Sequence, residues 1–236
     1  MRSVFFILVL LGCQTNLVSG QPELRALRES QNPTLVRGRS FDPAFTPPCE
    51  ADQEKAAAAY ESFLKTNPEN ELAPYLYYHL GMVFTGFAGA APEECGYIVD
   101  KKRAFRYFKL SVEHHPKGKL SWLLCRSRVN AVSLIEPREE RVKKYLEFYG
   151  WLRGLDRKTV NDQLLLPDRF SPQQTKLAVD TFLKNRDKML TVAQHNMIAI
   201  AGSLSVPARS KALKSIVQEF PGTELEQMAQ GRLAAK

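Results

Sequence analysis

Two stretches of this chain carry the same spacing. Ala56, Tyr60, Phe63 and Pro68 follow one another at the same offsets as Ala104, Phe108, Ser111 and Pro116. The first three residues of each set fall at i, i+4 and i+7, which is one face of an α-helix. The proline then stops the helix, because its ring lacks an N–H and clashes with the preceding turn. Leu80, Gly81 and Phe84 lie between the two sets, and Trp122 follows the second proline. Any fold for this chain must therefore be built from helices with punctual stops. No segment of useful length alternates with period two, so strands are not supported.

The same reading extends along the chain. Asp52 can cap a helix over 53–66, with Glu54 in its positive first turn and Asn67-Pro68 as its stop. A second helix is expected over 72–87, then a Gly/Ala/Pro-rich insertion over 86–96. A third is expected over 101–115, with Ala104, Phe105, Phe108 and Val112 on its apolar face and Pro116-Lys117-Gly118 as its break. Helices over 120–135 and 137–152 follow, the latter with Pro137 first and Glu139 and Glu140 behind it. The segment 154–168 is ambiguous, with a short helix over 160–165. Ser171-Pro172-Gln173-Gln174 is a capping box opening a helical stretch to Ala201, with a break near Asn185 left open. A helix over 207–220 ends at Pro221-Gly222, and Thr223 with Glu226 forms a second capping box for 224–235.

The first residues predict export. Arg2 precedes an unbroken apolar run over 4–11 that is too short to span a bilayer, for which about 20 residues are needed. Two cleavages compete. Leu10-Leu11-Gly12-Cys13 resembles a bacterial lipobox, which makes 1–12 the signal peptide and Cys13 the lipidated first residue. The alternative removes 1–20 and leaves a soluble periplasmic or secreted chain. By resemblance to enterobacterial sorting, Gln14 after a lipidated Cys13 favours the outer membrane. Residues 13–48 hold five prolines and no sustained period, so they read as a flexible tether to a helical domain over 49–236. Cys49 and Cys95 are candidates for an exported disulfide or for two free thiols, and Cys125 reads as a small buried hydrophobe.

With the cadence in place, the chain resembles the tetratricopeptide-repeat superfamily, best over 56–122 and faintly over 207–234. The resemblance implies an all-α fold of antiparallel helix pairs stacked as a short solenoid. In it Ala56, Gly81 and Ala104 allow close helix approach, and Tyr60, Phe84 and Phe108 fill the gaps. The chain departs from the family in the long interval between Gly81 and Ala104, and the stretch 138–203 shows no clean cadence. Leader, tether and repeat together are similar to periplasmic repeat lipoproteins of the outer-membrane assembly type. The resemblance implies an interaction scaffold for an envelope protein or peptide. Carried over residue by residue, its groove-facing positions include Tyr75, Tyr78, Met82 and Asn130.

Charge is concentrated. The segment 101–128 carries nine Lys or Arg and one acid, a net +8 equal to the formal charge of the whole chain. Lys102, Arg106 and Lys109 share one helix face, and with Arg126 and Arg128 they are candidates for an anionic partner: lipid head groups, an acidic envelope polymer or an acidic protein face. A merely solvated face is the plainer alternative. Export argues against nucleic acid. His79, His114, His115 and His195 show no metal-ligand spacing, and no nucleophile elbow or phosphate loop is present. The chain is thus expected to be non-enzymatic, without metal or cofactor, the rival being a small periplasmic enzyme with a motif-less site.

Overall fold

A computed structural model describes residues 50–85, 99–166 and 170–234. Cys13, Cys49, Cys95, the leader, the tether and the 86–96 insertion lie outside the described residues. Among the described residues the fold is all-α, with nine helices that pack largely in sequence order. The chain divides into two compact units, one ending at His114 and one beginning at His115.

The first unit holds α1 (Glu50–Thr66), α2 (Ala73–Thr85) and α3 (Lys101–Glu113). Helix α1 begins before Asp52, which therefore lies within its first turn and not at its cap. Its end is as the sequence predicts: the Asn67 Nδ2 amide (3.1 Å) and the Thr66 hydroxyl (2.9 Å) both donate to the Phe63 carbonyl, and Pro68 follows. Asp100 caps α3, its carboxylate accepting the Arg103 N–H at 2.9 Å.

Helices α2 and α3 share the most extensive contact of the described pairs, and Gly81 makes one close approach within it. A Cβ at Gly81 would lie 2.6 Å from the Phe108 ring, so only glycine lets the backbone sit on that ring. Phe108 is fully buried, worth about 1.5–3 kcal/mol of transfer free energy. The Ser111 hydroxyl donates to the Pro74 carbonyl at 2.7 Å across the same interface. The apolar face of α3 differs from the expected one. Ala104, Tyr107, Phe108 and Ser111 are buried, while Phe105 and Val112 are half-exposed at its margin. Tyr107 takes the inward place: its ring stacks on the buried Phe84, centres 5.9 Å apart, and its hydroxyl is bonded to Arg103 and Glu61.

The second unit holds α4 (Trp122–Ser133), α5 (Arg138–Arg153), α6 (Arg157–Gln163), α7 (Pro172–Gly202), α8 (Val206–Glu219) and α9 (Glu224–Ala234). Helix α7 is the spine, packing against α5, α6, α8 and α9. It runs through Asn185 unbroken, because tertiary packing over its length outweighs one residue's modest propensity. Ser171 and Gln174 form the expected capping box, Gln174 Oε1 taking the Ser171 N–H at 2.8 Å. At α9, Thr223 Oγ1 accepts the Glu226 N–H at 3.2 Å, but the Glu226 carboxylate reaches the Gly222 N–H at 2.5 Å instead of that of Thr223. Gly222, at φ +74°, supplies the left-handed turn that brings its amide within reach. Helix α6 starts earlier than expected because Asp156 caps it, accepting the Thr159 N–H at 2.7 Å. A single parallel bridge joins Leu120 to Leu164, with the Leu120 N–H donating to the Gln163 carbonyl at 2.8 Å and the Leu165 N–H to the Leu120 carbonyl at 2.7 Å.

Candidate functional site

Helix α3 has two chemically opposite sides. At 100° per residue, Lys102, Arg106 and Lys109 fall within an arc of roughly 60°, and the buried Ala104, Phe108 and Ser111 lie across the axis. All three cations are exposed. The one acid on that arc, Glu113, meets Lys109 at 3.6 Å, an exposed pair worth about 0–1 kcal/mol.

Arg103 belongs to a different arrangement. Its Nη1 donates to both carboxylate oxygens of Glu54, at 2.7 and 2.8 Å, and its Nε donates to the Tyr107 hydroxyl at 3.1 Å. The Tyr107 hydroxyl in turn donates to Glu61 Oε1 at 2.5 Å. The guanidinium also lies 4.2 Å from the centre of the Phe84 ring, a cation–π contact. Burial alone would lower the Arg103 pKa, but the Glu54 and Tyr107 hydrogen bonds more than offset it and the net shift is upward. Burial first, and the hydrogen bond to Glu61 second, push the Tyr107 phenol up to about 12. This chain of side chains latches α1 to α3 and removes Arg103 from the charge that α3 displays. The signal for it was in the sequence: Glu54 and Glu61 are seven apart on one face of α1, and Arg103 and Tyr107 are four apart on α3.

The five basic candidates are divided between the two units. Lys102, Arg106 and Lys109 stand together in the first unit, and Arg126 and Arg128 belong to α4 of the second. Arg126 is half-buried. Arg128 is spent on packing: its guanidinium stacks 4.1 Å above the Trp151 ring, and burial lowers its pKa.

Among the groove candidates, Tyr75 and Tyr78 are buried, at 5% and 3% exposure, so a bound peptide would reach little of either. Tyr78 packs on Phe108 with ring centres 5.7 Å apart, and Tyr75 on His79 at 4.6 Å. Met82 and Asn130 are half-exposed.

Of the histidines, His195 is exposed and its Nδ1 lies 2.8 Å from the Thr191 carbonyl. His114 is exposed beside Tyr77, ring centres 5.0 Å apart. His115 is buried, with Nε2 2.7 Å from Ser121 Oγ and Nδ1 3.2 Å from the Pro116 carbonyl. The carbonyl can only accept, which places the proton on Nδ1 and lets the Ser121 hydroxyl donate to Nε2. Ser121 Oγ simultaneously accepts the Leu124 N–H at 3.1 Å as the cap of α4. Cys125 is fully buried and its thiol is pushed up to about 12 by desolvation, which makes it an unreactive packing residue. Among the described residues no group of three His, Cys, Asp or Glu could hold a metal ion, and no helix is long and apolar enough to cross a membrane.

No protein-family profile matches the chain, and neither a characterised protein nor a solved structure shows significant similarity to it.

Proposed function

We propose that this chain is a non-enzymatic helical scaffold of the cell envelope, built on tetratricopeptide-like helix pairs, that docks the acidic face of a protein partner on the basic strip Lys102-Arg106-Lys109. The observation that carries this reading is the placement of charge on α3. Lys101, Lys102 and Arg103 crowd its first turn, where no acid stands, although cations there oppose the helix dipole at about 0.3–1 kcal/mol each. Arg103 is compensated by Glu54, whereas among the described residues Lys101 and Lys102 make no comparable ion pair. A local cost without a structural return is what a binding surface leaves behind. The Gly81–Phe108 contact and the Arg103–Tyr107 latch support the reading further, because they hold the strip on a rigid pair of helices. Export and lipidation at Cys13 complete the proposal. Intact mass of the membrane fraction would begin at an acylated Cys13, whereas a soluble chain beginning at Gln21 would remove the anchor.

The interaction is tested with a fluorescent oligoglutamate peptide as the probe. A K102E/R106E/K109E variant and a K184E/K188E/K214E variant lower net charge equally, the second on exposed positions of α7 and α8. Fluorescence anisotropy at fixed salt should show affinity lost in the first and largely kept in the second. Equal loss in both would mean that the peptide senses net charge alone, and the strip would have no special role.

A further inference from the structure

The second unit contains an open cleft of about 730 Å³ between α6 and the first turns of α7, within the size range of small-molecule sites. Arg157, Lys158 and Lys176 supply three cations to its wall. Asn161 and Thr175 add an amide and a hydroxyl, and Phe170 and the buried Val179 form an apolar floor. No carboxylate lines it among the described residues. Two of the cations have partners outside the lining: Arg157 Nη2 meets Asp180 Oδ1 at 2.6 Å, and Lys158 Nζ meets Asp162 Oδ2 at 2.8 Å. Both pairs are well exposed, so each is weak, and the Arg157 fork keeps further donors for a second anion. Lys176 makes no ion pair with any described residue.

We propose that this cleft is a binding site for a small amphipathic organic anion, a carboxylate carried on an aromatic or branched apolar body. The cations select the charge, Asn161 and Thr175 orient the carboxylate, and the body lies over Phe170 and Val179. A purely inorganic anion would leave the apolar floor wet, and a neutral ligand would leave Lys176 without a counter-charge and the spare donors of Arg157 unused. The lining comes entirely from the second unit and includes no residue of the α3 strip.

The test uses the full chain, with phenylbutyrate as the probe, phenylbutanol as its neutral counterpart and butyrate as the anion without a ring. Amide chemical-shift titration should show saturable binding of phenylbutyrate, with the largest shifts among residues 157–179. Phenylbutanol and butyrate should each bind about tenfold more weakly or worse. K176E, an exposed position without an ion pair, should weaken phenylbutyrate by about fivefold or more, while K184E, two turns further along α7 and outside the lining, should change it by less than about twofold. Absence of saturable shifts around the cleft would overturn the proposal. So would equal weakening by K184E, or binding of phenylbutanol as tight as that of phenylbutyrate.

Discussion

Replacing Gly81 by alanine isolates the contact on which the first unit depends. The added Cβ would stand 2.6, 2.7 and 2.9 Å from Cε1, Cδ1 and Cζ of Phe108, well inside van der Waals contact. Phe108 is fully buried against Tyr78 and cannot swing away, so α2 and α3 must part. Overpacking of this kind costs about 1–3 kcal/mol, and Gly→Ala in a helix interior returns up to about 1 kcal/mol of propensity. The expected net effect is a loss of about 1–2 kcal/mol. Gly150→Ala in α5 is the matched control: its Cβ would meet only Phe220 Cζ at 3.8 Å, an ordinary contact, so that variant should gain up to about 1 kcal/mol. Urea unfolding followed by far-UV circular dichroism measures both. The cause is tested by adding Phe108→Leu, which frees the space the new methyl needs. Its cost should be smaller in the Gly81→Ala background than in the wild type by about 1 kcal/mol. A stabilised Gly81→Ala variant, or a strictly additive double mutant, would refute the reasoning.

Further predictions concern the buried titratable groups. Tyr107 is protonated in both states below the ordinary tyrosine value of 10.0, and its folded value is about 12, so its contribution to stability is complete below pH 10 and is lost as pH rises towards 12. Tyr107→Phe should remove that part of the alkaline loss, and should cost about 1–2 kcal/mol at neutral pH by leaving Glu61 without its donor; urea melts between neutral and strongly alkaline pH measure both effects. His115 shifts the other way: burial, with Arg128 adding to it, lowers its pKa below the ordinary 6.5, against an upward pull from the Pro116 carbonyl. Its contribution is therefore full above pH 6.5 and is lost as pH falls through the folded value, and an imidazole titrating at or above 6.5 by NMR would contradict this. Ser121→Ala should cost about 0.5–2 kcal/mol as a lost helix cap, towards the upper end because His115 Nε2 loses its donor as well.

Much of the helical skeleton could be read from the sequence, for identifiable reasons. Proline stops at Pro68 and Pro116, the Ser171 capping box and the Pro221-Gly222 turn are local signals, and local signals survive tertiary context. Gly81 was singled out as a place of close approach, and its backbone does rest on the Phe108 ring. What escaped was long-range. The turn of α3 towards Tyr107, away from Phe105 and Val112, involves Phe84 and Glu61 in other helices. The continuity of α7 through Asn185 depends on four neighbouring helices. Tyr75 and Tyr78 read as groove residues by resemblance and as packing residues by their plain chemistry, and both are buried. The stacking of Arg128 on Trp151 joins two helices and has no signature in the spacing of either residue. The cleft between α6 and α7 had no sequence motif at all, since its cations come from two helices.

The central claim is that the exposed strip on α3 is where an anionic partner lands, and hydrogen exchange of the full chain with and without oligoglutamate tests it most directly. Exchange protection should rise in peptides covering Lys101–Glu113 and stay unchanged along Pro172–Gly202, although α7 carries exposed lysines of its own. Protection spread evenly over both helices, or confined to α7, would contradict the account.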